Sequence, residues 1–387
     1  MTGAAVVAVD VGTGSARAGV FDLDGRMLGR AEQPIALNRP LPDHAEQSAK
    51  DIWSAVVGSV RAARASAGVD AEKVAGLSFD ATCSLVALDH EDRPASVSTT
   101  GEDRWNVVVW LDHRAIAEAQ TCTATGHEVL NSLGGTMSPE MEIPKLMWLK
   151  RHLPTAWARY GRVLDLADFL TFRACGSNAR SCCTITCKWT YLAHEEPGWQ
   201  DDFLTVVGLG DLRERTAVPA RASAIGAPLG NLTADAAADM ALTTSCTVGC
   251  GLIDAHAGAL GVLGPALARG SEARPQSRAD RGHLDLPHGA VRRTTAGERG
   301  VGPVLWRGRT RTVAERGRPV GDRRHCSTTS WPRMPRGRRW ALVAMAWCSS
   351  ESRPCAPSRA RRSPRASWCC RISTATARRS PIRMHSA

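Results

Sequence analysis

The sequence contains no apolar run long enough to cross a bilayer, and its uncharged amino terminus runs straight into a strand pattern without a basic, then apolar, leader. A cytoplasmic protein that makes no membrane contact is expected. A disulfide framework is missing too. The 13 cysteines follow no regular spacing; Cys182, Cys183 and Cys187 cluster, as do Cys246 and Cys250, but no histidines stand beside them at metal-site spacing. Buried, reduced thiols are favoured over a zinc site. Lysine is scarce, and its absence is local. All five Lys, all five Phe, all five Asn and both Tyr lie before Pro265. From Pro265 onward there are 27 Arg, no Lys and 7 acidic residues, a net charge of +20, whereas residues 1–264 carry −9. The overall +11 therefore conceals two kinds of sequence joined near residue 264. At 387 residues there is room for two domains, and the first part alone can bury a full core.

What is present is organised around residues 7–25, VAVDVGTGSARAGVFDLDG. Val6, Val7 and Val9 lead to a lone Asp10. A turn rich in Gly, Thr and Ser follows, then an apolar run from Ala18 to Phe21 and an Asp24-Gly25 turn. The pattern predicts two antiparallel strands with Asp10 at the mouth of the first turn. Gly12 and Gly14 let the backbone approach a ligand, and Thr13 and Ser15 add hydroxyls. A carboxylate beside such a loop suits a metal ion held against a phosphate chain. An ordinary Gly-rich hairpin has the same pattern.

Further along, Arg26 to Ile35 reads as a third strand. Ser48 and Asp51 form a capping box for a helix whose buried face is Ile52, Val56, Val60 and Ala63, ended by Gly68. VAGLSFD reads as a strand delivering Asp80 to its carboxyl end, with SLVALD as its antiparallel partner. VVVWLD reads as another strand ending at Asp112, just before His113 and Arg114. In α/β sheets, polar residues past strand ends line the ligand crevice, although any one acid can equally be a helix cap. Pro144 opens a helix through Lys145, Leu146, Trp148 and Leu149, and VLDLADFLTFRACG reads as a helix ending at Gly176. Lys188 and Trp189 offer a cation and a ring to a sugar, or decorate the surface. Thr233 caps a helix, and CTVGCGLIDAHAGALGVLG reads as a strand running into Asp254 and then a small-residue helix.

Six segments in order, DVGTGSARAGVFD, FDATCSLV, WLDHRA, GGTMSPEMEIPKLMWLK, CKWTYL and LIDAHAGALG, resemble the FGGY family of carbohydrate kinases, in its ribulokinase-like branch. The resemblance covers nearly all of residues 4–264. It implies an α/β, ribonuclease-H-like (actin-like ATPase) fold with residues 1–264 as the sugar-binding domain. It also implies ATP and Mg²⁺ as cofactors, a small-molecule pentulose or ribitol-like substrate phosphorylated at a terminal hydroxyl, and a homodimer as one assembly. By carry-over, Asp10 with Gly12, Thr13 and Ser15 faces the γ-phosphate and the metal, and Asp254 is the general base. Asp80, Asp112, His113, Glu140 and Lys188 contact the sugar. The FDATC turn implies a ribulose- or ribitol-type substrate over glycerol or xylulose.

The resemblance stops at Gly264. The family's nucleotide domain opens with a Gly-Thr-Ser turn after an apolar strand, and residues 265–387 offer no such turn. Nor do they hold a sustained period, apart from a short apolar patch at Trp340 to Trp347. Their Arg, Gly, Pro and Ser content is that of a disordered segment. An Arg-rich nucleic-acid-binding tail, a plain disordered tail and out-of-frame translation of GC-rich DNA all fit. The absence of Lys, Phe, Tyr and Asn, whose codons are rich in A and T, favours the last. Thr374 to Arg379, encoded as ACG GCA ACC GCT CGC CGA, reads Gly-Asn-Arg-Ser-Pro when shifted by one base, a segment expected in the missing domain. The expectation is a pentulose-kinase lineage whose chain as written is inactive or nearly so, with no nucleic-acid partner. The alternative is a catalytically dead sugar-binding remnant.

Overall fold

The computed structural model describes residues 4–268. Strands β1 (Ala5–Val11), β2 (Ser15–Asp22) and β3 (Met27–Pro34) form an antiparallel meander. β4 (Glu46–Gln47) follows, then helix α1 (Ala49–Ala67), β5 (Val74–Ala81), β6 (Leu85–Asp89) and β7 (Val107–Val108). Helices α2 (Ile116–Ala124), α3 (Glu142–His152) and α4 (Pro154–Arg159) lead to β8 (Tyr160–Asp165). Next come α5 (Leu166–Cys175), α6 (Cys182–Lys188), α7 (Asp201–Val206), α8 (Leu212–Arg215) and β9 (Pro228–Asn231). The described chain closes with α9 (Ala234–Met240), β10 (Thr247–Gly249), β11 (Leu252–Ile253) and α10 (Asp254–Ala268). No helix among the described residues is long and apolar enough to cross a membrane.

The strands make two sheets. The larger has the order β3-β2-β1-β5-β10-β9, with β11 also on β5, and its centre (β1, β5, β10, β11) is parallel. The smaller, β4-β7-β6-β8, is antiparallel. Every side chain of β1 is buried, as a strand covered on both faces requires. Helix α1 lies on one face. Ser48 caps it by accepting the Asp51 N–H at 3.2 Å, Ile52, Val56, Val60 and Ala63 form its buried stripe, and Gly68 ends it at φ 62°. All four predicted core positions are in the same hydrophobic cluster as β1, β5, α5 and α9. A second cluster collects α2, α3, α7 and β8 around Trp148, Trp157 and Trp189.

Four local expectations are revised. SLVALD does not pair with β5; as β6 it belongs to the smaller sheet, between β7 and β8. VVVWLD contributes only the two-residue β7. VLDLADFLTFRACG divides into the end of β8 and α5, because Asp165 caps the helix by accepting the Ala167 N–H. Trp189 is 2 % exposed inside the second cluster, so its ring is core and offers no face to a sugar. The Arg-rich residues beyond 268, for which the sequence predicts disorder, lie outside the described residues.

Asp112 is also revised. Its two oxygens face Arg114, with Nε to Oδ1 and Nη2 to Oδ2 both at 2.8 Å, and Oδ2 accepts the Ala45 N–H at 2.6 Å. Arg114 also donates to Glu46 Oε1 at 2.9 Å and to the Val97 carbonyl at 2.7 Å, and all three charged side chains are fully buried. Such a triad fastens β4 to the segment around residue 112 and leaves no carboxylate oxygen for a ligand. Truncating one partner strands the others without water, at a cost of about 3 kcal/mol or more.

Strands β10 and β11 are one strand interrupted at Cys250 and Gly251, and the register to β5 advances by one residue across the break. At Gly251 a Cβ would fall 2.6 Å from the Phe79 carbonyl oxygen, so only glycine allows the close approach. Two outcomes are expected in urea unfolding. Gly251→Ala should destabilise the chain by about 2 kcal/mol through overpacking. Asp112→Ala should destabilise it by about 3 kcal/mol or more through the stranded Arg114. Midpoints unchanged within error would refute either assignment.

Candidate active site

Three acids arrive at one end of the larger sheet through strand register. Asp10 pairs across the hairpin with Arg17 and, in the parallel direction, with Asp80; Leu252 pairs with Asp80 on the far side of β5. Two residues beyond Leu252, Asp254 opens α10. Register partners share a face, so Arg17, Asp10 and Asp80 form one row. Arg17 Nη2 lies 3.0 Å from Asp10 Oδ2. Asp10 and Asp80 are buried; Asp10 is held by the Arg17 ion pair, and the Asp80 carboxyl group faces that of Asp10. Burial raises the Asp10 pKa to about 6, with Arg17 opposing and Asp254 adding to the rise. Burial, reinforced by Asp10 and Asp254, pushes Asp80 well above the usual carboxylate range. Asp254 is also raised by burial, against the Ala255 N–H (2.7 Å from Oδ1), Arg17 and Lys188. The mutual repulsion leaves a pocket of negative potential that a cation would relieve.

The loop after β1 is braced from two sides. Gly12 N–H donates to the Ser15 carbonyl at 3.0 Å. The Thr13 carbonyl accepts Gln47 Nε2 at 2.7 Å, and Thr13 Oγ1 accepts the Trp110 Nε1–H at 2.9 Å. With Oγ1 already accepting, the hydroxyl proton of Thr13 is left to donate, as an anion's oxygens require. A Cβ on Gly12 would lie 3.0 Å from Arg17 Nη2, so glycine keeps room for the guanidinium; beside Gly14 there is open space.

Lys188 ends α6, partly exposed. Burial works against its charge, but Cys83, Cys187 and Glu142 favour it, and its pKa is raised overall. Beneath it Glu142 and Lys145 make a fully buried pair, Nζ to Oε2 3.5 Å, and burial lifts Glu142 to about 7 against both lysines. Glu140 is half-buried and pairs with His113 at 3.1 Å. The structure thus brings Asp10, Asp80, Asp254 and Lys188 into one electrostatic environment with Gly12, Thr13 and Ser15 beside Asp10. It joins His113 to Glu140 separately and commits Asp112 to Arg114.

Arg17, Glu142 and Lys145 were passed over in the sequence. Signals existed: Asp10 and Arg17 stand opposite each other once the hairpin register is drawn, and Glu142 and Lys145 are spaced i, i+3 on a helix. No group of three His, Cys, Asp or Glu among the described residues could hold a metal by itself. The adjacent buried carboxyl groups of Asp10 and Asp80, with Arg17 as the ion-pair partner on Asp10, nevertheless fit Mg²⁺, which takes one or two carboxylates and completes its shell with water and phosphate oxygens. The eight described cysteines are all free thiols.

These raised carboxyl groups set a pH dependence. Asp10 and Asp168 (both about 6) and Glu142 (about 7) keep their protons to higher pH than in the unfolded chain. Between about pH 4 and 7 the folded state therefore binds more protons, and stability falls as pH rises through that window. The melting temperature is expected to drop by several degrees from pH 5 to pH 8; a rise would contradict it.

The same chain can be set beside known proteins. The sequence family described as the FGGY family of carbohydrate kinases, N-terminal domain, matches residues 5–261. An FGGY carbohydrate kinase domain-containing protein of Danio rerio is 48% identical over 262 residues, 67% of this chain and 47% of that protein. A D-ribulokinase of Saccharomyces cerevisiae is 40% identical over 272 residues, 66% of this chain and 38% of that protein. A ligand-bound xylulose kinase structure from Lactobacillus acidophilus superposes with a TM-score of 0.57 at 17% identity, over 67% of this chain and 50% of that one, which establishes the shared actin-like ATPase fold. The chain spans about half the length, or less, of the curated relatives it matches. With the hairpin loop, the aligned strand-end acids and the match over residues 5–261 in agreement, the chain belongs to the FGGY family of carbohydrate kinases.

Proposed function

We propose that this lineage phosphorylates a terminal hydroxyl of a pentulose, with D-ribulose as the first choice, using ATP and Mg²⁺ in the cytoplasm. The observation that carries the reading is the convergence of Asp254, Asp10 and Lys188 at one end of the larger sheet. The 40% identity to a D-ribulokinase supports the choice of sugar.

In this reading Asp254 takes the proton of the attacking hydroxyl. Its raised pKa suits a base working near neutrality. Lys188, whose charge Cys83, Cys187 and Glu142 favour, holds a sugar hydroxyl or carbonyl oxygen, and the His113–Glu140 pair supplies an outer hydroxyl contact. Asp80 flanks the terminal hydroxyl from beside Asp10. Gly12, Thr13 and Ser15 face the γ-phosphate, and Arg17 adds a positive charge there. Mg²⁺ on Asp10, when bound, offsets the charge of the phosphate oxygens. Residues 1–264 form the sugar domain, and residues 265–387 are out-of-frame sequence in place of the nucleotide domain. Without groups to hold ATP in line, positioning is lost and turnover with it.

Two measurements test this. The purified chain is expected to bind D-ribulose in titration calorimetry, and Lys188→Met to weaken binding roughly tenfold or more, the value of a charged hydrogen bond. With ATP and Mg²⁺ present, a coupled assay is expected to find no ATP-saturable turnover. Saturable turnover would overturn the inactive reading, and an absence of sugar binding would overturn the sugar domain.

A further inference from the structure

Helix α6 does more than carry Lys188. Its first turn grips the chain on both sides of Asp254. Ser181 donates its hydroxyl to the Gly251 carbonyl at 2.7 Å and accepts the Cys183 N–H at 3.2 Å. Asp168 holds this turn from α5, accepting Ser181 N–H at 2.8 Å and the Thr184 hydroxyl at 2.7 Å. Two residues beyond Ser181, the Cys183 sulfur accepts the Ile253 N–H at 3.5 Å and lies 3.0 Å from His256 Nδ1. A single sulfur thus contacts the residue before Asp254 and the residue two after it.

This grip falls where the fold supplies little else. β11 is two residues long and, among the described strands, pairs only with β5. Asp254 stands at the junction from that strand to α10, with the Ala255 N–H as its hydrogen-bond donor. Burial pushes the Cys183 thiol well above its ordinary range, so it stays S–H near neutrality. A neutral thiol can donate to His256 Nδ1 while its lone pairs accept from Ile253; a thiolate cannot do the first.

We propose that Cys183 is a positioning residue for Asp254, fixing the strand-to-helix junction through Ile253 and His256 so that the carboxylate points toward the sugar hydroxyl beside Lys188. The inference rests on the reading of Asp254 as the group that accepts that hydroxyl's proton. It gives α6 two functions at its two ends, the sugar lysine at one and the aim of the base at the other.

Two readouts on the full chain test it. The Ala255 amide reports the placement of the Asp254 carboxylate, and Cys183→Ala is expected to speed its hydrogen exchange about tenfold, while Cys183→Ser, which can still donate and accept, stays within about threefold of the unmodified chain. In calorimetry with D-ribulose, Cys183→Ala is expected to weaken binding about tenfold, and adding it to Asp254→Asn to cause no further loss, because the two act through one carboxylate. Additive losses overturn the proposal. So does Ala255 exchange unmoved by Cys183→Ala in a chain that keeps its far-ultraviolet dichroism. If the unmodified chain binds no ribulose, the reading of Asp254 fails, and the Ala255 exchange still decides whether Cys183 fixes it. If Cys183→Ala does not fold, Cys183→Val, which fills the space without a polar contact, takes its place under the same criteria.

Discussion

The parallel register of β1 on β5 is the constraint from which the site follows. It sets Asp10 opposite Asp80, while the hairpin register sets Asp10 opposite Arg17. A slip of one residue would turn Asp10 to the other face and leave the row without its centre. What prevents the slip is burial on both faces, with Val7, Val9 and Val11 packed among the side chains of α1 and β5. The apolar core therefore pins a row of charges it does not itself favour. Asp10 and Asp80 sit nearly without water, with Arg17 as the counter-charge to Asp10, and the packing around them holds them together.

The smaller sheet serves the larger one. Gln47 on β4 and Trp110 just after β7 reach across to Thr13, so the loop after β1 takes its shape from residues far away in sequence. The buried Arg114 triad fixes that support by binding β4 to the segment at Asp112. On the other flank, α5, α6 and the broken strand β10–β11 are joined through Asp168, Ser181 and Gly251. Lys188 and Asp254 thus hang on one connected framework of backbone and buried polar groups.

Much of this was legible in the sequence because the signals were local. The Asp10 hairpin, the Ser48 cap, the stripe on α1 and the Thr233 cap, which accepts the Ala236 N–H at 3.1 Å, each depend on spacing within one element. The strand into Asp254 was legible too, with its two glycines explained only when Phe79 is seen behind Gly251. What failed depended on partners distant in sequence. Asp112 looked like a crevice acid until Arg114 and the Ala45 N–H filled its valences. Trp189 looked like a platform beside Lys188 until the second core enclosed it. Glu142 was overlooked in favour of Glu140 because an acid amid Ile143, Leu146 and Met147 has no mark in one sequence to separate it from a surface residue.

The crowded strand-end acids have a consequence for the stability of the polypeptide. A fold that crowds Asp10, Asp80 and Asp254 together is under electrostatic load, and any cation that relieves the load also favours the folded state. Occupation of that pocket by a divalent cation is therefore expected to raise the melting temperature of the chain.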